Sequence, residues 1–202
     1  MATEIKMCGL TRPEDIEAVN ILKPLYIGFV FWEKSKRNVT KEQARLLKEG
    51  LDPSIKAVGV FVDAKKDFIL DLAKCGIIDV IQLHGSENDD FIAELRKETD
   101  KEIIKAFKVR TPEDVEEAKS SSADFILLDN GKGTGENFDW SLLSNVGRDF
   151  FLAGGLYDYN VASAIEQTHP YAVDVSSGIE KDGLKDFETM SAFLKAVRDS
   201  EK

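Results

Sequence analysis

From end to end the chain alternates between short apolar runs and longer amphipathic stretches, and nothing else in it limits the fold as strongly. The apolar runs are Glu4–Cys8, Tyr26–Phe31, residues 55–62, Val80–Leu83, residues 102–107, residues 125–128, Phe150–Ala153 and Ala172–Val175. Short, β-branched and without polar alternation, they read as parallel strands covered on both faces. The intervening stretches carry helix signals. Thr11 and Pro13 mark one start, and another helix begins near Thr40 with Glu42 and Gln43 in its first turn. Residues 65–74 end before Gly76, residues 89–98 follow the fourth run, and Thr111 caps a helix with Pro112 at its first position and Asp114 nearby. Val161–Thr168 and residues 187–197 supply the last two. Eight βα units of roughly 25 residues each predict an α/β protein, a compact parallel eight-stranded (β/α)8 TIM barrel. Units of such even length suit closure better than an open doubly wound sheet. No linker or composition break divides residues 1–202, so one barrel domain is expected.

Composition narrows the partners. A net charge of -10 argues against a nucleic-acid polyanion, so a phosphate ester would need a local site of backbone N–H groups and one or two cations. Two cysteines make no disulfide framework, and two histidines alone make no zinc cluster. MATEIKMCG lacks the basic and apolar regions of a signal peptide, and the longest apolar run, residues 26–32, is too short to span a bilayer. The expectation is a soluble cytoplasmic protein that meets neither membrane nor nucleic acid, monomeric or homodimeric.

In such a barrel, chemistry sits at the C-terminal ends of the strands. AVDVSSGIE, residues 172–180, runs from a buried strand straight into small residues. Ser176, Ser177 and Gly178, with Gly154 and Gly155 in FLAGGL, can form a shared phosphate site after strands seven and eight. Each turn alone reads as an ordinary tight turn; together, at that place in the order, they favour phosphate. Cys8 ends the first strand, and Gly9 after it would leave the thiol accessible, although a lone cysteine there also reads as a small buried hydrophobe. Asp129 ends FILLD, either as a general acid or as a cap for the N–H groups of the following loop, residues 131–135. Arg37 in EKSKR suits a substrate carboxylate, whereas Lys34 and Lys36 read as solvated. His84 in QLHG either donates to substrate or ties down its loop, and Asp174 holds a neighbouring group or contacts substrate. Cys75 and His169 read as structural, and Leu46, Leu47, Phe193, Leu194 and Val197 as packing faces.

Taken together, these blocks resemble the phosphoribosylanthranilate isomerases of tryptophan biosynthesis. KMCGLT looks like the family's opening motif, and GFVFWEKSKR, VGVFV, QLHG, FILLDN, GTG, FDWSLL, FLAGGL and AVDVSSGIE match its later blocks in order. The resemblance covers nearly the whole chain. It implies a (β/α)8 barrel that needs neither metal nor organic cofactor and takes a small phosphoribosyl substrate. It also implies roles: Cys8 as general base, Asp129 as general acid, and Arg37 engaging the anthranilate carboxylate. Gly154, Gly155, Ser176, Ser177 and Gly178 would hold the phosphate, and His84 and Asp174 would line the site. A normal thiol is mostly protonated at neutral pH, so Cys8 would benefit from a nearby cation, with Lys6 or Arg37 as the source. Glu33 and Asn38 depart from the residues often seen around SKR in the family, and the loop holding Lys132 is short. Two rival readings are weaker. A pentulose-phosphate epimerase would want paired histidines at the rim, and the related isomerase of histidine biosynthesis an aspartate in place of Cys8. A phosphosugar-binding protein that had lost catalysis would be expected to have lost Cys8 or Asp129.

Overall fold

A computed structural model describes residues 2–129, 139–143 and 145–201. Eight parallel strands close into a barrel in chain order: β1 (Glu4–Cys8), β2 (Tyr26–Phe31), β3 (Lys56–Phe61), β4 (Val80–Leu83), β5 (Glu102–Lys108), β6 (Phe125–Asp129), β7 (Phe150–Ala153) and β8 (Ala172–Val175). Closure runs through β1 and β8, where Glu4, Ile5, Lys6 and Met7 register with Ala172, Val173, Asp174 and Val175. Outside lie α1 (Pro13–Leu22), α2 (Lys41–Glu49), α3 (Lys66–Lys74), α4 (Asp89–Arg96), α5 (Pro112–Ser120), α6 (Val161–Thr168) and α7 (Phe187–Asp199). The barrel expectation holds. The seven helices named in the sequence are present, and between β6 and β7 the described residues carry a 3-10 helix, Trp140–Leu143.

Helix starts follow their caps. Thr40 and Gln43 cap α2 reciprocally, and Thr111 and Asp114 do the same for α5 behind Pro112. At α1 the N-cap is Arg12 rather than Thr11, because the Asp15 carboxylate takes the N–H groups of both Thr11 and Arg12. Leu47 packs inward on α2, but Leu46 is 54% exposed, so the expected pair is one core residue and one surface residue. Phe193 and Val197 of α7 are fully buried, with Leu194 packed beside them. Cys75 caps α3 with an exposed thiol rather than a buried one.

The period-2 pattern of each strand splits the apolar residues into two cores. One fills the space between barrel and helices, and the other fills the barrel. Inside, size grades along the axis. At the N-terminal end Tyr26, Phe125, Phe151 and Tyr171 pack ring against ring at centroid separations of 4.9–5.6 Å, with the Tyr26 and Tyr171 hydroxyls 3.0 Å apart. Towards the C-terminal end the inward residues shrink to Cys8, Val60, Ala106 and Ala153. The aromatic plug seals one end; the small residues leave the other open for polar groups. Replacing Phe151, which touches all three other rings, by Ala is expected to lower stability by about 3–5 kcal/mol. Denaturant unfolding checks this, and a change below about 1 kcal/mol would refute the plug's role.

Candidate active site

Alternation along β1 turns Lys6 and Cys8 into the barrel, and the register of β8 sets Asp174 beside Lys6. Lys6 Nζ donates to Asp174 Oδ1 at 2.8 Å and is fully buried. Burial opposes its charge, but Asp174, helped by Cys8, outweighs burial and raises the lysine pKa. Asp174 therefore holds a neighbouring side chain, as one of its two sequence readings has it.

Cys8 is the more telling case. The thiol is buried, and burial, the largest influence, pushes its pKa above 9.0 even though Lys6 and Lys185 pull it down. The cation expected beside Cys8 is present, yet it does not make a resting thiolate. Gly28, not Gly9, makes room for this thiol. A Cβ on Gly28 would sit 2.5 Å from Cys8 Sγ, whereas one on Gly9 would strike the Arg37 Cδ at 2.4 Å. In the sequence Gly28 is one more residue of an apolar run, so nothing there marked it.

Asp129 reaches the same rim from β6, and its Oδ2 lies 3.7 Å from His84 Nε2. The Gln82 amide nitrogen, a donor only, lies 3.0 Å from His84 Nδ1. This contact fixes the ring with Nε2 turned towards Asp129. Burial lowers the His84 pKa, keeping the ring neutral at pH 7. His84 thus stands at the rim, held by Gln82 of its own strand and facing Asp129. The loop after Asp129, residues 130–138 with Lys132, lies outside the described residues.

Arg37 stands in the loop after β2 and already has a carboxylate. Its Nε and Nη2 donate to the two Glu180 oxygens at 2.6 and 2.7 Å. Lys185 meets the same Glu180 at 2.6 Å and donates to the Ser176 carbonyl at 2.8 Å, and Ser176 Oγ donates to the Cys8 carbonyl at 3.0 Å. Burial disfavours the Glu180 charge, but its two cationic partners hold its pKa below the ordinary value; at Lys185 burial wins and the pKa falls. Glu180 and Lys185 were not singled out in the sequence. They sit on a small antiparallel hairpin, β9 (Glu180–Lys181) and β10 (Leu184–Lys185), turned at Asp182 and Gly183 with φ of 54° and 80°. The Asp-Gly pair was the available signal.

The two small-residue turns meet as expected. Gly154 and Gly155 both have positive φ, and Ser177 to Ile179 form a 3-10 turn. A Cβ on Gly178 would lie 2.0 Å from the Leu156 carbonyl oxygen, so only glycine lets the β8 turn pack on the β7 turn. Across the rim, Asp63 and Lys105 brace loops rather than face the thiol. Asp63 accepts from Ser86, and Lys105 reaches Gly85 and Glu87. A cavity of about 910 Å³ opens beside His84 and Asp129 and is lined by Trp32, Lys105 and Phe107; it runs towards α4 and α5, not over Ser176. Among the described residues no three His, Cys, Asp or Glu side chains group as a metal site, and no helix is long and apolar enough to cross a membrane.

The family model for N-(5'phosphoribosyl)anthranilate (PRA) isomerase matches residues 5–196. The chain belongs to this family. It is 44% identical over 198 residues to the N-(5'-phosphoribosyl)anthranilate isomerase of Clostridium kluyveri, covering 96% of this chain and 98% of that one. It is 42% identical over 213 residues to the isomerase of Acetivibrio thermocellus, covering 98% and 97%. Among solved structures, the Thermotoga maritima phosphoribosyl anthranilate isomerase superposes with a TM-score of 0.90 at 36% identity, covering 98% of this chain and 99% of that one. A phosphoribosyl anthranilate isomerase in complex with reduced 1-(o-carboxyphenylamino)-1-deoxyribulose 5-phosphate gives 0.88 at 36% identity, with the same coverage.

Within this family fold, the space at Gly28 is what lets the thiol point inward. Gly28→Ala is expected to cost about 1–3 kcal/mol through overpacking and to lower turnover at least ~10-fold while the protein still folds. Steady-state rates and circular dichroism on one preparation test it. Wild-type turnover in the folded variant would mean the thiol's position is immaterial.

Proposed function

We propose that this chain performs its family's Amadori rearrangement, N-(5-phosphoribosyl)anthranilate to 1-(o-carboxyphenylamino)-1-deoxyribulose 5-phosphate, by general acid–base catalysis with Cys8 as base and Asp129 as acid. The supporting observation is that β1 and β6 carry these two side chains to one rim, the thiol beside Lys6 and the carboxyl beside His84. Asp129 protonates the ribose ring oxygen, and the ring opens to an iminium. Cys8 takes the proton from the adjacent carbon, made acidic by that iminium, to give an enolamine, which tautomerises to the aminoketone. Arg37 engages the anthranilate carboxylate, and the turns at Gly154–Gly155 and Ser176–Gly178 hold the phosphate. His84 and Asp174 line the site, acting on Asp129 and on Lys6. The whole chain serves as one barrel domain, cytoplasmic and working as a monomer or homodimer, and the steps assigned here call on no metal or organic cofactor.

Loss of anthranilate fluorescence on freshly generated substrate measures this reaction. Wild-type turnover is expected to resist EDTA, and Cys8→Ala and Asp129→Ala should each fall at least ~100-fold. A folded wild type without turnover would end the isomerase reading; a near-normal variant would end that residue's role.

The pH profile carries a second expectation. The Cys8 pKa is raised above 9.0, so the thiol keeps its proton at neutral pH. The working pair, thiolate with carboxylic acid, then holds as many protons as the thiol with carboxylate. Rate is thus independent of pH until the thiol itself ionises, above which the pair is one proton short and the rate falls. A level kcat/KM from neutral pH to about pH 9 is expected. An alkaline fall starting below about pH 8 would show that Lys6 overrides burial at the thiol.

A further inference from the structure

We propose that Glu180 is a positioning residue for Arg37, that Lys185 anchors it, and that this pair sets the preference for a substrate bearing an aryl carboxylate. The inference rests on the reading that Arg37 takes that carboxylate. A guanidinium offers five N–H donors along two planar edges. Glu180 occupies the side edge, through Nε and Nη2, at 2.6 and 2.7 Å. Among the described residues nothing else bonds the guanidinium, so the end edge, one hydrogen on each Nη, is left for a second planar carboxylate. An arginine on a loop has many rotamers to lose on binding, and one already held along its side edge has lost them beforehand.

Glu180 is itself fixed. Its side chain is 10% exposed, and its one carboxylate is shared between Arg37 and Lys185, which is 2% exposed. The hairpin register sets Lys185 directly opposite Glu180, and Arg12 Nη2 donates to the Lys185 carbonyl at 2.7 Å. Lys185 also donates to Ser176, which bonds the Cys8 strand end. One short hairpin therefore ties the carboxylate-binding arginine to the phosphate turn and to the base.

The opposite role is a competitor that the substrate carboxylate must displace. It would require leaving Glu180 against Lys185 alone, with Arg37 gone from its other side, in a half-buried place where an underpaired carboxylate is costly. The two roles predict opposite signs.

The charge-balanced double variant Glu180→Gln/Lys185→Met separates them, because it removes one charge of each sign. Its KM for phosphoribosylanthranilate is expected to rise about 10-fold, with a smaller loss in kcat. Affinity for the reduced product analogue should fall about 10-fold relative to the same compound lacking the aryl carboxylate. Unchanged or tighter binding, or equal loss for both ligands, would overturn the proposal. If the double variant does not fold, Glu180→Gln is read by the 15N NMR signal of Arg37 Nε–H. A sharp, slowly exchanging signal in the wild type that is lost in Glu180→Gln supports positioning, and an unchanged signal overturns it. A wild type without turnover or without preference for the carboxylated ligand would defeat the substrate reading instead, and the Arg37 signal would still decide whether Glu180 holds the arginine.

Discussion

The site is organised around one buried ion pair, Lys6 with Asp174, set across the seam where β1 meets β8. An ammonium with no exposed surface is tolerable only with a carboxylate partner, and removing either partner of such a pair leaves a charge that is very costly to bury. The pair therefore demands the register that closes the barrel, and that register sends Cys8 and Ser176 to the same rim. It also sets the field at the thiol. Lys6 favours ionisation of Cys8, Asp174 opposes it, and burial decides the balance towards the protonated form.

A graded interior makes this affordable to the fold. The four-ring plug supplies apolar contact at the end where no chemistry occurs, while alanines and a glycine thin the packing at the other. Polar groups collect where the packing is thin. Lys6, Gln82 and Lys185 are all nearly inaccessible, and each makes at least one hydrogen bond to the site's own framework.

Strand and helix order was legible because each strand is an unbroken apolar run and most helices carry a cap or a proline at the start. The strand-end residues were legible for the same reason: fixing the strand fixes its last side chain. What escaped depends on contacts between distant segments. Gly28 matters only because β1 lies beside it, and α2 could not say which of Leu46 and Leu47 faces the barrel. Cys75 read as structural from its place between a helix and Gly76, and it is the C-cap there, but its exposure follows from the turn and not from the residue type. Glu180 and Lys185 drew no reading in the sequence, although Asp182-Gly183 between them is a strong hairpin signal.

The charges around the site explain how an acidic chain can hold an anionic substrate. Lys6, Arg37 and Lys185 are three cations held against Asp174 and Glu180, on a rim that Asp129 and His84 also reach. Three unpaired cations in so confined a place would repel one another and lose their protons or their positions. Asp174 and Glu180 fix them instead, so the cations keep both their protons and their places. The thiol fits the same logic. Burial keeps the Cys8 thiol protonated against the pull of Lys6 and Lys185, so it adds no negative charge to this cluster.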